Sequence, residues 1–203
     1  MDWITTLDDL QSRYGTVSDV AARKVVPTLL PSTRSFLERA RFCVISTVGP
    51  EGTDGSPRGD EGPVVRILDA RTLALPDWRG NQRIDSLRNI IRDPRISLMF
   101  LIPGSTIAVR VNGTARLTAD PALCQSFSRD NRHPITVVVI AIAEVYPQCA
   151  RALHRSALWT SGDQSQAAPS IGAMLQEATA GAIDGPALDQ EEDEAGRTRA
   201  GWW

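Results

Sequence analysis

The sequence predicts a small, mainly β domain, an antiparallel barrel with helices added before and after it. Three observations carry that expectation. Six or so strand-like runs rich in Val, Ile, Leu and Phe follow one another between residues 42 and 146. Two of them, PVVRIL and RTLALP, meet through Asp69–Arg71, short enough for a hairpin and too short for a parallel crossover. A third, STIAVRVNGTARLT, reads as the longest strand, with Gly113 marking a bulge or bend of the kind that closes barrels.

Taken in order, the chain opens on helices. Leu7, Leu10 and Tyr14 recur at helical spacing and Gly15 ends the run. A second short helix covers Ser18 to Val25 and stops before Pro27. A third begins either at Ser35, which has capping-box spacing to Glu38, or one turn earlier at Ser32 or Thr33 after Pro31. Residues 1–35 thus read as a helical lid. FCVISTV is the first strand, and GPEGTDGSPRGDEG reads as a long turn-rich loop. After the hairpin comes a helix from Arg83 to Ile91 with Ile84, Leu87, Ile90 and Ile91 on one stripe, halted at Asp93-Pro94. RISLMFLIPG is apolar almost throughout, which predicts a strand covered on both faces. Asp120 and Pro121 stand as N-cap and first residue of a helix reaching about Phe127. PITVVVIAIAEVY is the last core strand, and Pro147 is expected to start a helix running to about Trp159. The domain so defined spans residues 36–160. Residues 161–203 read as an appendage: a linker, a short helix in IGAMLQEATAG, and a charged, partly disordered end.

Composition narrows the function. With 22 Lys+Arg against 24 Asp+Glu the net charge is −2, which argues against a general polyanion binder such as a nucleic-acid protein. Lys24 is the only lysine, so nearly all positive charge is guanidinium, suited to phosphate but equally a product of genome composition. Cys43, Cys124 and Cys149 form no CxxC pair and sit among apolar or small residues, as reduced thiols do. The acidic start MDWITTLDDL does not fit a signal peptide and no apolar run reaches membrane length, so a cytoplasmic protein without membrane contact is expected. His133 and His154 are the only histidines, and no cluster has metal-ligand spacing, so no protein-bound metal is expected. Nucleophile elbows, P-loops and dinucleotide fingerprints are missing too.

Anion recognition remains. In GNQRIDSLRN a polar loop leads straight into a helix, whose free N–H groups and dipole favour an anion. That contributes about 0.3–1 kcal/mol when exposed, whereas micromolar binding needs about 8 kcal/mol. Arginine forks from Arg58, Arg66 or Arg83 and burial of a flat ring would have to supply the rest. The plainer reading makes Asn81 a helix cap and Arg83 a solvated first-turn residue. Arg66 shares an apolar strand face with Val64 and Leu68 and needs a partner, either Asp60 or Asp69 or a ligand. SPRGD is a compact turn whose Ser56, Arg58 and Asp60 offer donors and an acceptor around Gly59. Arg155, Ser156 and Trp159 could wall an aromatic ligand, or Trp159 could anchor a core or interface.

Together these pieces resemble the FMN-binding split barrels of the pyridoxamine 5′-phosphate oxidase-like family. The matching order is FCVISTVGPEG, SPRGDEGPVVRIL, TLALPD, GNQRIDSLRNIIRDPRISLMFL and IAVRVNGTARLT, and the resemblance spans residues 36–159. It is closest to a bacterial subgroup with an SPRGD-like loop and an RSxLW-like segment, here Arg155–Trp159. The resemblance implies a split barrel, and a homodimer with two FMN sites at the subunit interface. It places Asn81 and Arg83 at the phosphate. Ser56, Arg58 and the strand Val64, Val65 and Arg66 would lie along the flavin, with Leu75 and Pro76 on the next strand. Trp159 would approach from the partner subunit. The oxidase's serine-arginine-lysine helix entry is here Asn81-Gln82-Arg83, its strand glutamine is Ala108, and its C-terminal arginine pattern is missing. Vitamin B6 oxidation is therefore not the expected activity. The expectation is an FMN-dependent oxidoreductase of unknown substrate and electron donor, with no side chain named as catalytic. Alternatives are a flavin carrier or sensor without turnover, or a split barrel using deazaflavin or haem.

Overall fold

The computed structural model describes residues 1–149 and 151–199. Its centre is a seven-stranded antiparallel sheet: β1 Phe42–Gly49, β2 Gly52–Gly59, β3 Arg66–Asp69, β4 Thr72–Asp77, β5 Arg95–Leu101, β6 Ala108–Thr118 and β7 Thr136–Gln148. The spatial order is β2-β1-β5-β6-β7-β4-β3. Laid flat, seven strands would hold the two edges about 29 Å apart at about 4.8 Å per step. The link from Gly59 to Arg66 reaches about 25 Å even when fully extended, so the sheet has to curl. Bonds from Asp60 N to Arg41 O (2.9 Å) and from Val64 N to Ala40 O (2.9 Å) tether that link beside β1.

The curl encloses the core. Ile45, Leu98, Phe100, Val111 and Ile140 point inward from successive strands and are fully buried. Gly113 sits where the β6–β7 register shifts, with Asn112 opposite Glu144 and Gly113 opposite Ile142, so Ala143 is the extra residue of a bulge on β7. A Cβ on Gly113 would stand 2.0 Å from the Ala141 carbonyl oxygen, so only glycine fits.

Helices α1 Leu7–Ser12 and α2 Asp19–Arg23 form as read but bury no residue. The segment joins the sheet only further on, where Val26 bridges Val145 and Lys24 Nζ donates to Pro147 O. Helix α3 Pro31–Leu37 takes the earlier of the two predicted starts. Helix α4 Asp85–Arg92 packs Leu87 and Ile90 inward together with Ser86 and Asn89, whereas Ile84 and Ile91 of the expected stripe face solvent. Helix α5 Pro121–Gln125 is capped as predicted, the Asp120 carboxylate accepting from Leu123 N at 2.8 Å.

Several expectations change. The stretch read as a turn-rich loop is strand β2, paired residue for residue with β1 across Pro50-Glu51. An edge strand bonds on one side only, so Pro57 and the glycines cost it little. Strand β5 alternates instead of being covered on both faces, and Met99 is 38% exposed on the outer one. Strand β7, not β6, is the longest, because Pro147 lies inside it opposite Val109. The next helix, α6, is confined to Arg151–Arg155, and Ala150 lies outside the described residues. In the C-terminal segment, α7 Ile171–Ala178 is joined by a longer helix, α8 Gly185–Thr198, in the stretch where the charge pattern suggested disorder. The two helices cross so closely that a Cβ on Gly172 would meet the Gly185 carbonyl at 2.1 Å. Asp189 of α8 caps α7 by accepting from Ser170 Oγ and Gly172 N. Arg199 pairs with Glu61 of the β2–β3 link, and Ala200–Trp203 lie outside the described residues. Among the described residues, no helix is long and apolar enough to cross a membrane.

Candidate functional site

A cleft of about 730 Å³ opens between the end of β2, the end of β4, the loop that follows it, and α4. Its floor comes from the apolar pattern of the sheet: Val64, Leu75 and Leu87 are buried residues that reach it. One wall is Ser56–Glu61, the end of the edge strand and the start of the next link. The rim is the loop Arg79–Gln82, which connects β4 to α4.

Two charged groups shape the wall. Arg58 Nη1 donates to Asp77 Oδ1 at 2.6 Å, with the two side chains only 22% and 17% exposed. Arg58 Nε is buried without a hydrogen-bond partner. Across the β1–β2 pair lies Cys43, whose thiol burial pushes up to about 12 although the Arg58 charge pulls the other way. Cys43 therefore stays protonated and inert. The second group is Asp60, whose side chain is 3% exposed. One oxygen accepts from Trp78 Nε1 at 3.1 Å and the other from Gly62 N at 3.2 Å, with Arg129 at 3.5 Å. Trp78 also packs on the small cluster of Ala74, Cys124, Phe127 and Val137, so its indole is held at the edge of the cleft from two directions.

The rim is strained. Gln82 (φ 60°) and Ile84 (φ 52°) are left-handed without being glycine, and such positions cost of order 1–3 kcal/mol. Asn81 Oδ1 accepts from Arg83 N at 3.1 Å, bending the chain into the helix. The Arg83 side chain is 75% exposed and pairs with Asp85 at 2.8 Å. It lines a second cleft of about 340 Å³ between α4 and the β1–β2 turn. There Arg92 pairs with Glu51 and Ser86 bonds Asp54, so the charges compensate one another.

Of the residues picked from the sequence, Ser56, Arg58, Val64, Leu75, Pro76 and Asn81 meet in the larger cleft. Val65 turns into the core. Arg66 lies over the Phe127 ring at 3.8 Å and donates to Ser126 Oγ and O at 2.6 and 2.7 Å, a partner that neither Asp60 nor Asp69 supplies. Trp159 donates to Ser105 O at 3.0 Å, away from the cleft. The sequence reading overlooked Asp77, Trp78 and Ile135, although it counted Arg79 among the arginines of the polar loop before α4. Asp77 and Trp78 directly follow the TLALP run, so continuing that strand into its loop would have found them. Ile135 enters only through the pairing of β7 with β4.

The family model described as pyridoxamine 5′-phosphate oxidase matches residues 29–149, more than half of the chain. Among curated proteins none matches. Solved structures give looser likenesses. HupZ of Group A Streptococcus is 17% identical, with 60% of this chain and 95% of that one covered at a TM-score of 0.49. The general stress protein 26 of Bacillus anthracis is 15% identical, with 56% and 88% covered at 0.43. An F420 reductase is 19% identical, with 60% and 97% covered at 0.40. The matched residues run from the end of the N-terminal segment through β7 and include every strand and the whole wall and rim of the cleft. By that match, the chain belongs to the pyridoxamine 5′-phosphate oxidase family of split barrels.

Proposed function

We propose that the chain binds FMN in the larger cleft and acts as an FMN-dependent oxidoreductase, in the cytoplasm and as a homodimer with the site near the subunit interface. The observation that carries this reading is the combination found in one cleft: an apolar floor of Val64, Leu75 and Leu87 beside a half-buried guanidinium, Arg58, held in place by Asp77. Its volume of about 730 Å³ lies in the range of small-molecule sites.

The residues present fit a flavin. A flat ring covers the floor, where burial of apolar area contributes about 25 cal/mol per Å². Asn81 and the backbone of Arg79–Gln82 offer hydrogen-bond donors to a phosphate at the rim, and Arg83 reaches the same loop from its far side. Val65 and Arg66 then contribute backbone to the wall, and Trp159 belongs to the site through the partner subunit. Bound FMN supplies the redox chemistry, while the chain holds the ring and keeps water from the floor.

The test is an absorbance spectrum of the purified protein, with and without added FMN. Bands near ~370 and ~450 nm that stay with the protein and leave on denaturation are the expected result, since they belong to the cofactor's own chromophore. A protein that is colourless and, once FMN has been added and the unbound flavin removed by gel filtration, retains no band overturns the reading. If FMN binds, oxidation of a donor in steady state separates the oxidoreductase from a carrier or sensor.

A further inference from the structure

Five charged side chains line the larger cleft: Arg58, Asp60, Glu61, Asp77 and Arg79. Each of the three acids is matched by an arginine, Asp77 by Arg58 at 2.6 Å, Asp60 by Arg129 at 3.5 Å and Glu61 by Arg199. The Arg79 side chain is exposed and has no ion pair or hydrogen bond among the described residues. One positive charge is therefore left over at the mouth of the cleft, where apolar walls focus its field. That sets the charge of what enters. Its neighbour Trp78 sets the shape. The indole N–H donates to Asp60 at 3.1 Å, and that carboxylate, 3% exposed, is itself held by Gly62 N and Arg129. Packing beside Phe127 steadies the same ring, so it offers a fixed, flat surface at the edge of the cleft. Ile135, just ahead of β7 and 81% exposed, adds further uncovered apolar area to the lining.

We infer that the small molecule that reacts in this cleft is a flat anion, an aromatic or conjugated carboxylate, with Arg79 reading its charge and Trp78 its ring. A guanidinium grips a carboxylate through two parallel bonds, which suits an arginine with all its donors free. The inference rests on the proposed flavin site and names the class of its substrate. The cofactor's phosphate is the other anion expected at the rim. Its donors there are Asn81 and the backbone leading into α4, whereas Arg79 stands at the opposite end of that loop, beside Trp78.

Three probes separate charge from shape: benzoate is flat and anionic, benzamide flat and neutral, cyclohexanecarboxylate anionic and puckered. Calorimetric titration of the FMN-loaded protein should show benzoate binding about tenfold more tightly than either of the others. Arg79→Ala should remove the advantage over benzamide and keep the advantage over cyclohexanecarboxylate, and Trp78→Leu should do the reverse. The comparison of ligands on the unaltered protein holds whether or not either variant folds well. Affinity for FMN should be the same in Arg79→Ala as in the unaltered protein. The inference fails if benzoate binds no better than benzamide, if Arg79→Ala leaves that ratio as it was, or if benzoate displaces FMN. It fails as well if Arg79→Ala weakens FMN but not riboflavin, which lacks the phosphate, because the cation then serves the cofactor. A protein that takes up no FMN would instead remove the proposed function itself.

Discussion

At the scale of single residues, local chemistry is read from the sequence most reliably where both partners are neighbours. Asp93-Pro94-Arg95 was legible as a helix stop, and the structure adds the reason it holds. The Asp93 carboxylate accepts from the Arg95 guanidinium at 2.6–3.0 Å and from its backbone N–H at 3.0 Å. Those bonds hold the carboxyl well down, to about 2 from 3.8. The folded value lies below the unfolded one, so the contribution to stability is complete above about pH 4 and disappears as pH falls through about 2. Asp93 is half-buried, but its partner Arg95 is 73% exposed, so solvent screens the pair and the energy is small, while the titration is measurable. Carbon-detected NMR of the Asp93 side chain should give a midpoint near 2, moving back toward 3.8 in Arg95→Ala. A midpoint that ignores the substitution would show that some other group lowers it. Arg66 is the opposite case. Its place on an apolar strand face demanded a partner, yet the partners are Ser126 and Phe127, about sixty positions away. No local pattern points there.

At the scale of elements, periodicity located most strands and helices, and failed where position in the sheet overrode composition. Residues 52–59 contain three glycines and a proline and carry every mark of a loop. They form a strand because β1 supplies a continuous bonding edge and nothing has to pair on the far side. The candidate site inherits that misreading, since Ser56 and Arg58 reach the cleft from the end of a strand and not from a mobile turn. Gly113 was legible as a bulge, although the extra residue proves to be Ala143 on the partner strand. The two glycine settings give a paired test. Gly113→Ala drives a methyl group into a backbone carbonyl and should cost about 3 kcal/mol, as overpacking at a rigid site does. For a chain of this length that lowers Tm by roughly 10 °C. Gly55→Ala on β2, where a Cβ meets nothing within 4 Å, should change stability by no more than about 0.5 kcal/mol. Equal effects in thermal denaturation would refute the steric account of the bulge.

At the scale of the whole molecule, the outer face of the sheet asks for a second copy. Phe42 stands opposite Leu101 and Val44 opposite Met99 on that face, and Met99 adjoins Arg110. Phe42 and Met99 are 37% and 38% exposed. Beside this apolar strip the polar groups are already satisfied: Ser97 donates to Asn112 Oδ1, Asn112 donates to Glu144, and Arg110 lies over Tyr146. A face with its hydrogen bonds made and its apolar groups bare loses little when it is desolvated. Under the proposed homodimer, the alternation of β5, which put Met99 outside where the sequence suggested a strand covered on both sides, has a physical sense: another chain would supply the second cover. One chain displays the apolar run but not what covers it. A stable interface needs about 800 Å² from each copy, more than these four side chains supply, so the neighbouring loop with Ile107 and the segment with Leu158 and Trp159, also exposed, have to take part. Light scattering on the eluting protein should therefore give twice the mass of 22.1 kDa at micromolar concentration. Met99→Glu should shift the population to the single chain and, where the partner completes the site, weaken FMN by tenfold or more while leaving the fold intact by circular dichroism. A wild-type chain that stays single at tens of micromolar would rule out this face as a dimer contact, and with it any part for Trp159 in the neighbouring site.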